Sequence, residues 1–386
     1  MTTVVVAPDS FKQSLDAASV ATHLAAGWRR VRPDDDVRPV PMADGGEGTL
    51  EAFAVAFPGA RRVPVRVMGP HDLAVEAEWL WLPDGTAVVE LASTSGIELL
   101  GDELRPLSAH TQGFGEAIRA AVEAGATRLI LGIGSSASTD GGVGMLRALG
   151  GRLLTADGAE ASQGAGGLAR IAQVDLSGVT ALPETLVLSD VTNPLLGPRG
   201  AAAVFGSQKG LDRAGRELAE AGLARLAGLI GLDPEAPGSG AAGGVGYALR
   251  ALGARVTPGA ERLGDVLGLP ELVASADVVI TGEGAFDGQS LAGKVPGYVV
   301  SLASEQRGPS RRRSSLAAPQ GPPALLLAAG RIAADADVSA FRATCSLVEL
   351  AGSPEAAIAG AGRWLEEAGS RLALSYGDSD SAGPRG

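Results

Sequence analysis

The stretch VVITGEGAFDGQSLAGK, residues 278–294, runs three apolar residues and Thr281 into two acids and an amine. Asp287 and Lys294 follow within eleven residues of Glu283. Carboxylates on a loosened loop can hold a hard cation such as Mg²⁺ or orient a hydroxyl. A lysine can meet a phosphate or a carboxylate as a point charge. The same texture recurs elsewhere. TVVVAP is followed by Asp9, Ser10 and Lys12; RLILGI by GSSASTDGG (134–142); TLVL by Ser189, Asp190, Asn193 and Pro194. PMADGGEGT (41–49) sets Asp44 and Glu47 about Gly45 and Gly46.

Each piece also has a plainer use. Ser10 with Gln13 fits a capping box at a helix start. Asp190 and Asn193 fit turn positions before Pro194. Asp44 and Glu47 fit the acidic first turn of a helix. The 134–142 stretch is either a tight turn or a cradle whose backbone N–H groups, with the Ser135 and Ser136 hydroxyls, receive an anion.

The elements that must carry these residues are legible in outline. Five runs (3–10, 128–136, 185–193, 277–284 and 323–330) are continuous in Val, Ile and Leu rather than alternating. That pattern belongs to parallel strands covered on both faces. Helical spacing appears in DAASVATHLAAGWRRV, TQGFGEAIRAAVEAGA and GLDRAGRELAEAGLARLAGLIG. Strand and helix in alternation predict an α/β fold. Residues 61–91 alternate instead and contain PDG, so they predict an antiparallel segment and entry into a second domain. In open α/β sheets, ligands bind beyond the carboxyl ends of the strands, where the acids and amines fall here.

Composition narrows the function classes. The chain has 386 residues, 45% hydrophobic, with a net charge of −12, which disfavours nucleic acid. The three histidines, His23, His71 and His110, lie far apart and offer no zinc spacing. Cys345 is the one cysteine, so no internal disulfide forms, and it reads as a small core residue. No leader or membrane segment is read at the start, so a cytoplasmic location is expected. GSGAAG (238–243) matches G-x-G-x-x-G, but no strand precedes it and the dinucleotide reading fails. That loop is left to meet phosphate or another backbone. No G-x-x-x-x-G-K-[ST] occurs. Residues 303–323 and 377–386 read as a flexible loop and a disordered tail.

Taken together, APDSFKQSL, PMADGGEGT, GIGSSASTDGG, SDVTNPLLGPRGAA, GSGAAGGVGYAL and TGEGAFDGQSLAGKVP resemble the signature blocks of the type-1 bacterial glycerate kinases, in the family's order. The resemblance implies ATP- and Mg²⁺-dependent phosphorylation of D-glycerate, usually on the 2-hydroxyl. A 3-phosphoglycerate product and a non-catalytic nucleotide- or metabolite-binding protein are the alternatives. It also implies two α/β domains with the site in a cleft between them. One is flavodoxin-like with a parallel sheet (1–64 plus 286–376); the other is inserted, with a mixed sheet (65–285). A homodimer stays open, and neither nucleic acid nor a membrane is an expected partner.

On that reading Lys12 and Lys294 meet phosphate or the substrate carboxylate, with Arg199 a weaker candidate. Glu283 and Asp287 hold Mg²⁺. Asp190 or Asp44 takes or orients the hydroxyl proton. Asp9, Ser10, Gly45, Gly46, Glu47, Ser135, Ser136, Asp140, Gly141, Gly142 and Asn193 contact substrate or phosphate. Small residues at the strand ends would let ligands approach the backbone. Two departures bear on this. Gln13 stands where the family commonly has Gly, and Ser135, Ser138 and Thr139 alter the usual GGSATNDGG.

Overall fold

The computed structural model describes residues 1–12, 14–291, 293–305 and 322–377. Close contacts divide the chain into two units, Met1–Asp44 with Ala260–Gly386, and Gly45–Gly259.

In the first unit, Val4, Val5 and Val6 are all fully buried, as a strand covered on both faces requires. The strands are β1 (Thr3–Pro8), β2 (Asp36–Pro39), β3 (Val278–Phe286), β4 (Ala324–Ile332) and β5 (Ala343–Ser346). They pair in the order β2-β1-β3-β4-β5, every pair parallel. This is the flavodoxin-like order. The chain leaves β1 toward β2 and returns on β1's other side as β3, so the order reverses between β1 and β3. Helices Ala17–Val31 and Ala361–Gly377 pack together on one face around Leu24, Trp28, Leu365 and Leu372. Helices 269–275 and 295–305 cover the other around Val273, Val299 and Leu302. Asp16 caps the first helix, its Oδ1 accepting from Ser19 N at 2.7 Å. The helix thus starts six residues later than the Ser10 capping reading placed it, and Phe11 N bonds Leu15 O. Cys345 is buried in the core, and burial pushes its thiol up to about 11.

The second unit has a six-stranded mixed sheet in the order 255–257, 184–188, 128–132, 86–90, 74–81, 61–68. The first four are parallel and the last two antiparallel, joined by the expected hairpins. A separate hairpin pairs Arg152–Thr155 with Ile171–Asp175. The five apolar runs are all strands, but they divide three and two between the sheets.

The sequence-based boundaries at 64/65 and 285/286 fall elsewhere in the contacts. Residues 278–282 pair with Val4–Pro8 of β1, and 278–286 pair along β4, so the whole strand belongs with the first unit. Helix Thr49–Ala56 packs on strands 74–81 and 86–90, and Thr49 N donates to Glu90 Oε1, which draws residues 45–64 into the second unit. Gln13, residues 306–321 of the expected loop and residues 378–386 of the expected tail lie outside the described residues. Residues 303–305 instead end helix Val295–Glu305. No helix among the described residues is long and apolar enough to cross a membrane.

Candidate active site

The carboxyl ends of β1 and β3 are fastened to each other. Asp9 N donates to Gly282 O at 2.8 Å, and Thr281 Oγ1 to Ala7 O at 2.9 Å. β4 lies so close to β3 that a Cβ on Gly282 would come within 2.0 Å of Ala328 O. Glycine at that tip serves strand-to-strand approach. Beyond these ends opens a cavity of about 370 Å³ within the first unit. Asp9, Ser10, Lys12, Asp44, Glu283, Asp287 and Lys294 all line it. Residues from three sections of chain, far apart in sequence, thus meet at the point where the strand order reverses.

The charges there are tightly coupled. Lys294 Nζ lies 3.1 Å from Glu283 Oε2. Burial works against the Lys294 charge, yet Glu283, Asp287 and Asp44 hold its ammonium above the usual lysine range. Glu283 is raised by burial, with Lys294 opposing. Asp9 is raised well above the usual carboxylate range, first by burial and then by the neighbouring charge of Asp44, although its Oδ1 accepts from Ser10 N at 2.7 Å. Two polar atoms are buried without a protein partner, Ser10 Oγ and Glu283 Oε1, on side chains only 7% and 6% exposed. Leaving such atoms unsatisfied is costly, so both call for a ligand or ordered water.

Among the described residues no group of three or more His, Cys, Asp or Glu could cage a metal ion. Mg²⁺ needs no such cage, since it takes one or two carboxylates plus phosphate and water. Glu283 with Asp287 and the unused Glu283 Oε1 fit that donor set. Asp287 Oδ1 also accepts from Gln289 N at 2.9 Å, which fixes the loop carrying it.

The 134–142 stretch is different in kind. Asp140 is fully buried. Its Oδ2 accepts from Thr111 N (3.0 Å), Thr111 Oγ1 (2.8 Å) and Gly144 N (3.2 Å), and its Oδ1 from Ser138 Oγ (3.0 Å) and Gly142 N (3.1 Å). Gly141 N is spent on Gly243 O at 2.9 Å. The glycine end of the expected cradle is therefore partly taken by the protein's own carboxylate, through Gly142 N and Ser138 Oγ. Gly142 takes φ +75°, where a side chain is strained, and a Cβ there would press Ala248 Cβ at 2.7 Å. Asp140, Gly141 and Gly142 build the turn rather than offer it. The 238–244 loop likewise meets backbone: Gly240 N donates to Asn193 O at 2.9 Å.

The other candidates of the second unit are scattered. Ser136 accepts from Lys209 Nζ at 2.7 Å. Glu47 and Ser135 line a separate cavity of about 190 Å³ with Glu90. Gly45 packs on Leu188, and Gly46 O accepts from Thr49 Oγ1 at 2.7 Å. Asp190 Oδ1 accepts from Gly259 N at 2.7 Å. Asn193 Nδ2 donates to Arg199 O at 2.7 Å, a turn contact, and the Arg199 side chain is exposed.

Three residues escaped the sequence reading. Arg331 lines the first cavity because β4 runs on past Gly330 to Ile332. It was findable by the same strand-tip rule. Glu90, buried at the end of strand 86–90, is pushed by burial up to about 8. Lys209 is buried and also donates to Ser138 O at 2.5 Å; burial pulls its ammonium down to about 8, against Asp140. The sequence holds only three lysines, Lys12, Lys209 and Lys294. That scarcity was a signal: Lys209 is buried, Lys294 is paired with Glu283, and the exposed Lys12 lines the first cavity.

The profile of the glycerate kinase family matches residues 4–376. The chain belongs to the glycerate kinase family. It is 44% identical to the glycerate 2-kinase of Escherichia coli K12 over 317 residues, 79% of this chain and 83% of that one. It is 41% identical to the glycerate kinase of Bacillus subtilis 168 over 311 residues, 78% and 81% respectively. A crystal structure from Salmonella typhimurium LT2, described as a candidate glycerate kinase 2, matches with a TM-score of 0.76 at 36% identity, covering 98% of this chain and 99% of that one. Within this glycerate kinase family chain, the cavity at the β1–β3 reversal is where the acids and amines converge.

Proposed function

We propose that this chain transfers the γ-phosphoryl group of ATP to the 2-hydroxyl of D-glycerate, releasing ADP and 2-phosphoglycerate. The observation that carries the reading is the convergence of Asp9, Lys12, Asp44, Glu283, Asp287 and Lys294 on one cavity at the topological switch of a parallel sheet. A family of glycerate kinases, with a glycerate 2-kinase among the relatives, supports the substrate and the position.

Phosphoryl transfer needs positioning and charge neutralisation more than covalent work by the protein. The substrate hydroxyl oxygen attacks phosphorus, the bond to the β-phosphate oxygen breaks, and the hydroxyl proton leaves. The Asp9–Asp44 pair receives that proton. The Asp9 carboxyl, raised by burial and by Asp44, is a stronger base than an exposed aspartate. Asp44 is preferred to Asp190 because it lines the cavity, whereas Asp190 is tied to Gly259 N in the other unit. Lys12 and Lys294 face the negative charge that ATP and glycerate bring. Glu283 orients Lys294 through their ion pair. Glu283 and Asp287 would hold Mg²⁺, which supplies charge neutralisation on the phosphates.

Phosphorus NMR of the product formed from ATP, Mg²⁺ and D-glycerate is the test. A 2-phosphoglycerate resonance supports the reading; a 3-phosphoglycerate resonance overturns the position. ATP binding without any turnover would instead make the chain a nucleotide sensor.

A further inference from the structure

The unit-one cavity is two-sided. One side is the charged set already described. The other is a wall of Leu347, Val348, Pro354, Ala357 and Ile358, carried by the short helices Leu347–Ala351 and Pro354–Ala359. Ile358 is 48% exposed and lines the cavity beside Val348 and Pro354, so the wall presents aliphatic surface to whatever enters. Side-chain hydroxyls fix the helix starts beneath the wall: Ser346 Oγ accepts from Glu349 N at 3.4 Å and Ser353 Oγ from Ala356 N at 3.2 Å. The wall is thus built rather than loose. Glycerate has no use for it, because each of its three carbons bears oxygen. A cavity of about 370 Å³ falls in the size range of sites for larger organic ligands, well beyond a three-carbon acid. The second substrate of the proposed reaction has the missing part, a flat apolar ring joined to a chain of phosphates. Arg331 is exposed at the end of β4, the strand lying between β3, which carries Glu283, and β5, which leads into the wall, and it is engaged in no ion pair or side-chain hydrogen bond among the described residues. Guanidinium is the fork that suits phosphate oxygens.

We propose that the nucleotide binds in this cavity, its base lying on the Leu347–Ile358 wall and its phosphates running past Arg331 to Lys12 and Lys294. The inference rests on the kinase reading for the identity of the ligand, but not for its test. The nucleotide site lies wholly on the flavodoxin-like unit, and the base is held by side chains from residues 347–358, far in sequence from every signature block.

The test is direct binding of Mg·ATP and Mg·ADP to the full chain by isothermal titration, with no glycerate present. Ile358→Glu sets a charge where the ring would lie, and Arg331→Gln removes the phosphate fork; both sites are exposed enough to leave folding intact, which thermal melts verify. Each variant should weaken nucleotide binding by about tenfold or more, since an uncompensated charge against an apolar ring or a lost charged hydrogen bond is of that order. The KM for D-glycerate in the same variants should move by less than about threefold, roughly half of a tenfold step in free energy. Nucleotide affinity unchanged in both variants overturns the proposal, even if the wild type phosphorylates glycerate. A wild type that binds ATP, loses that binding in the variants and turns over no glycerate would keep the nucleotide site and overturn the kinase reading.

Discussion

The β1–β3 cavity and the 134–144 turn look alike as sequence: each joins a buried strand to glycines, hydroxyls and an aspartate. As structure they are opposites. In the turn every oxygen of Asp140 is met by donors from its own unit, five in all. In the cavity Ser10 Oγ and Glu283 Oε1 are buried with nothing to meet them. Glycines do not tell the two apart, since at both places they are required by close chain approach. The contrast lies in the two carboxylates: both oxygens of Asp140 are met and one oxygen of Glu283 is not, although Thr139 Oγ1 in the turn is also buried without a partner.

The largest effect should come from the scaffold side. Asp140→Ala strands the five donors that converge on that fully buried carboxylate. Breaking such a network costs about 3–5 kcal/mol. Urea unfolding should show a loss of that size. A variant that keeps its stability but loses turnover would make Asp140 a ligand contact and erase the contrast.

On the cavity side, Lys294→Ala and Asp44→Asn should each lower kcat/KM by about a hundredfold or more, the usual loss for a transition-state contact or catalytic acid–base group. Lys294→Ala should also lower the melting temperature, because it leaves the Glu283 carboxylate, 6% exposed, without its counter-charge, so Asp44→Asn separates turnover from stability more cleanly. Asp190→Asn keeps an oxygen for Gly259 N and should cost less than about tenfold. A hundredfold loss in Asp190→Asn with Asp44→Asn near wild type would exchange the two assignments.

Glu90 sharpens the comparison from a third position, a buried acid beside a small cavity that does accept from a neighbour, Thr49 N. Burial raises its carboxyl from 4.5 to about 8. Between those values the folded chain keeps a proton that the unfolded chain releases, so this residue takes away stability as pH rises across that window and nothing below it. Glu90→Gln retains an acceptor without the charge. It should gain about 3–5 kcal/mol at pH 8 and almost nothing at pH 4. Melting curves at the two pH values read the difference, and an equal shift at both would mean that packing, not ionisation, is responsible.

The fold was legible because both-face burial leaves continuous apolar runs, and all five such runs are strands. The short strands β2 and β5, four residues each, carry too little pattern to stand out. Their absence hid the strand order on which the flavodoxin-like assignment turns. The unit boundary was misplaced because a hairpin's alternation is visible, while a single bond such as Thr49 N to Glu90, forty-one residues apart, is not. For the cavity, residue type and strand-end position sufficed: Asp9, Lys12, Asp44, Glu283, Asp287 and Lys294 meet as chemistry demanded. For the glycine loop they did not suffice, because the donor set that occupies Asp140 includes Thr111, twenty-nine residues upstream in a different element. Sequence shows which groups could bind a ligand but not which have already been taken by the protein.

The apolar wall gives the smallest effect and the finest test. Leu347, Val348, Pro354, Ala357 and Ile358 bring no polar side-chain atom to a base. Backbone groups beside them are turned inward, Gly352 N to Val348 O at 2.8 Å and Ala357 N to Ser353 O at 3.0 Å. A surface of that kind recognises a flat ring by contact and cannot strongly reject an isostere with different polar edges, which is worth no more than about a hundredfold and often far less. GTP should therefore replace ATP with a KM within about tenfold, or about 1.4 kcal/mol, in a coupled ADP or GDP release assay. A site with donors and acceptors aimed at adenine would refuse guanine by orders of magnitude more, because its own buried groups would be left unpaired. Strong refusal of GTP thus places the base somewhere other than on residues 347–358, and free exchange of the two nucleotides is what a wall of aliphatic side chains requires.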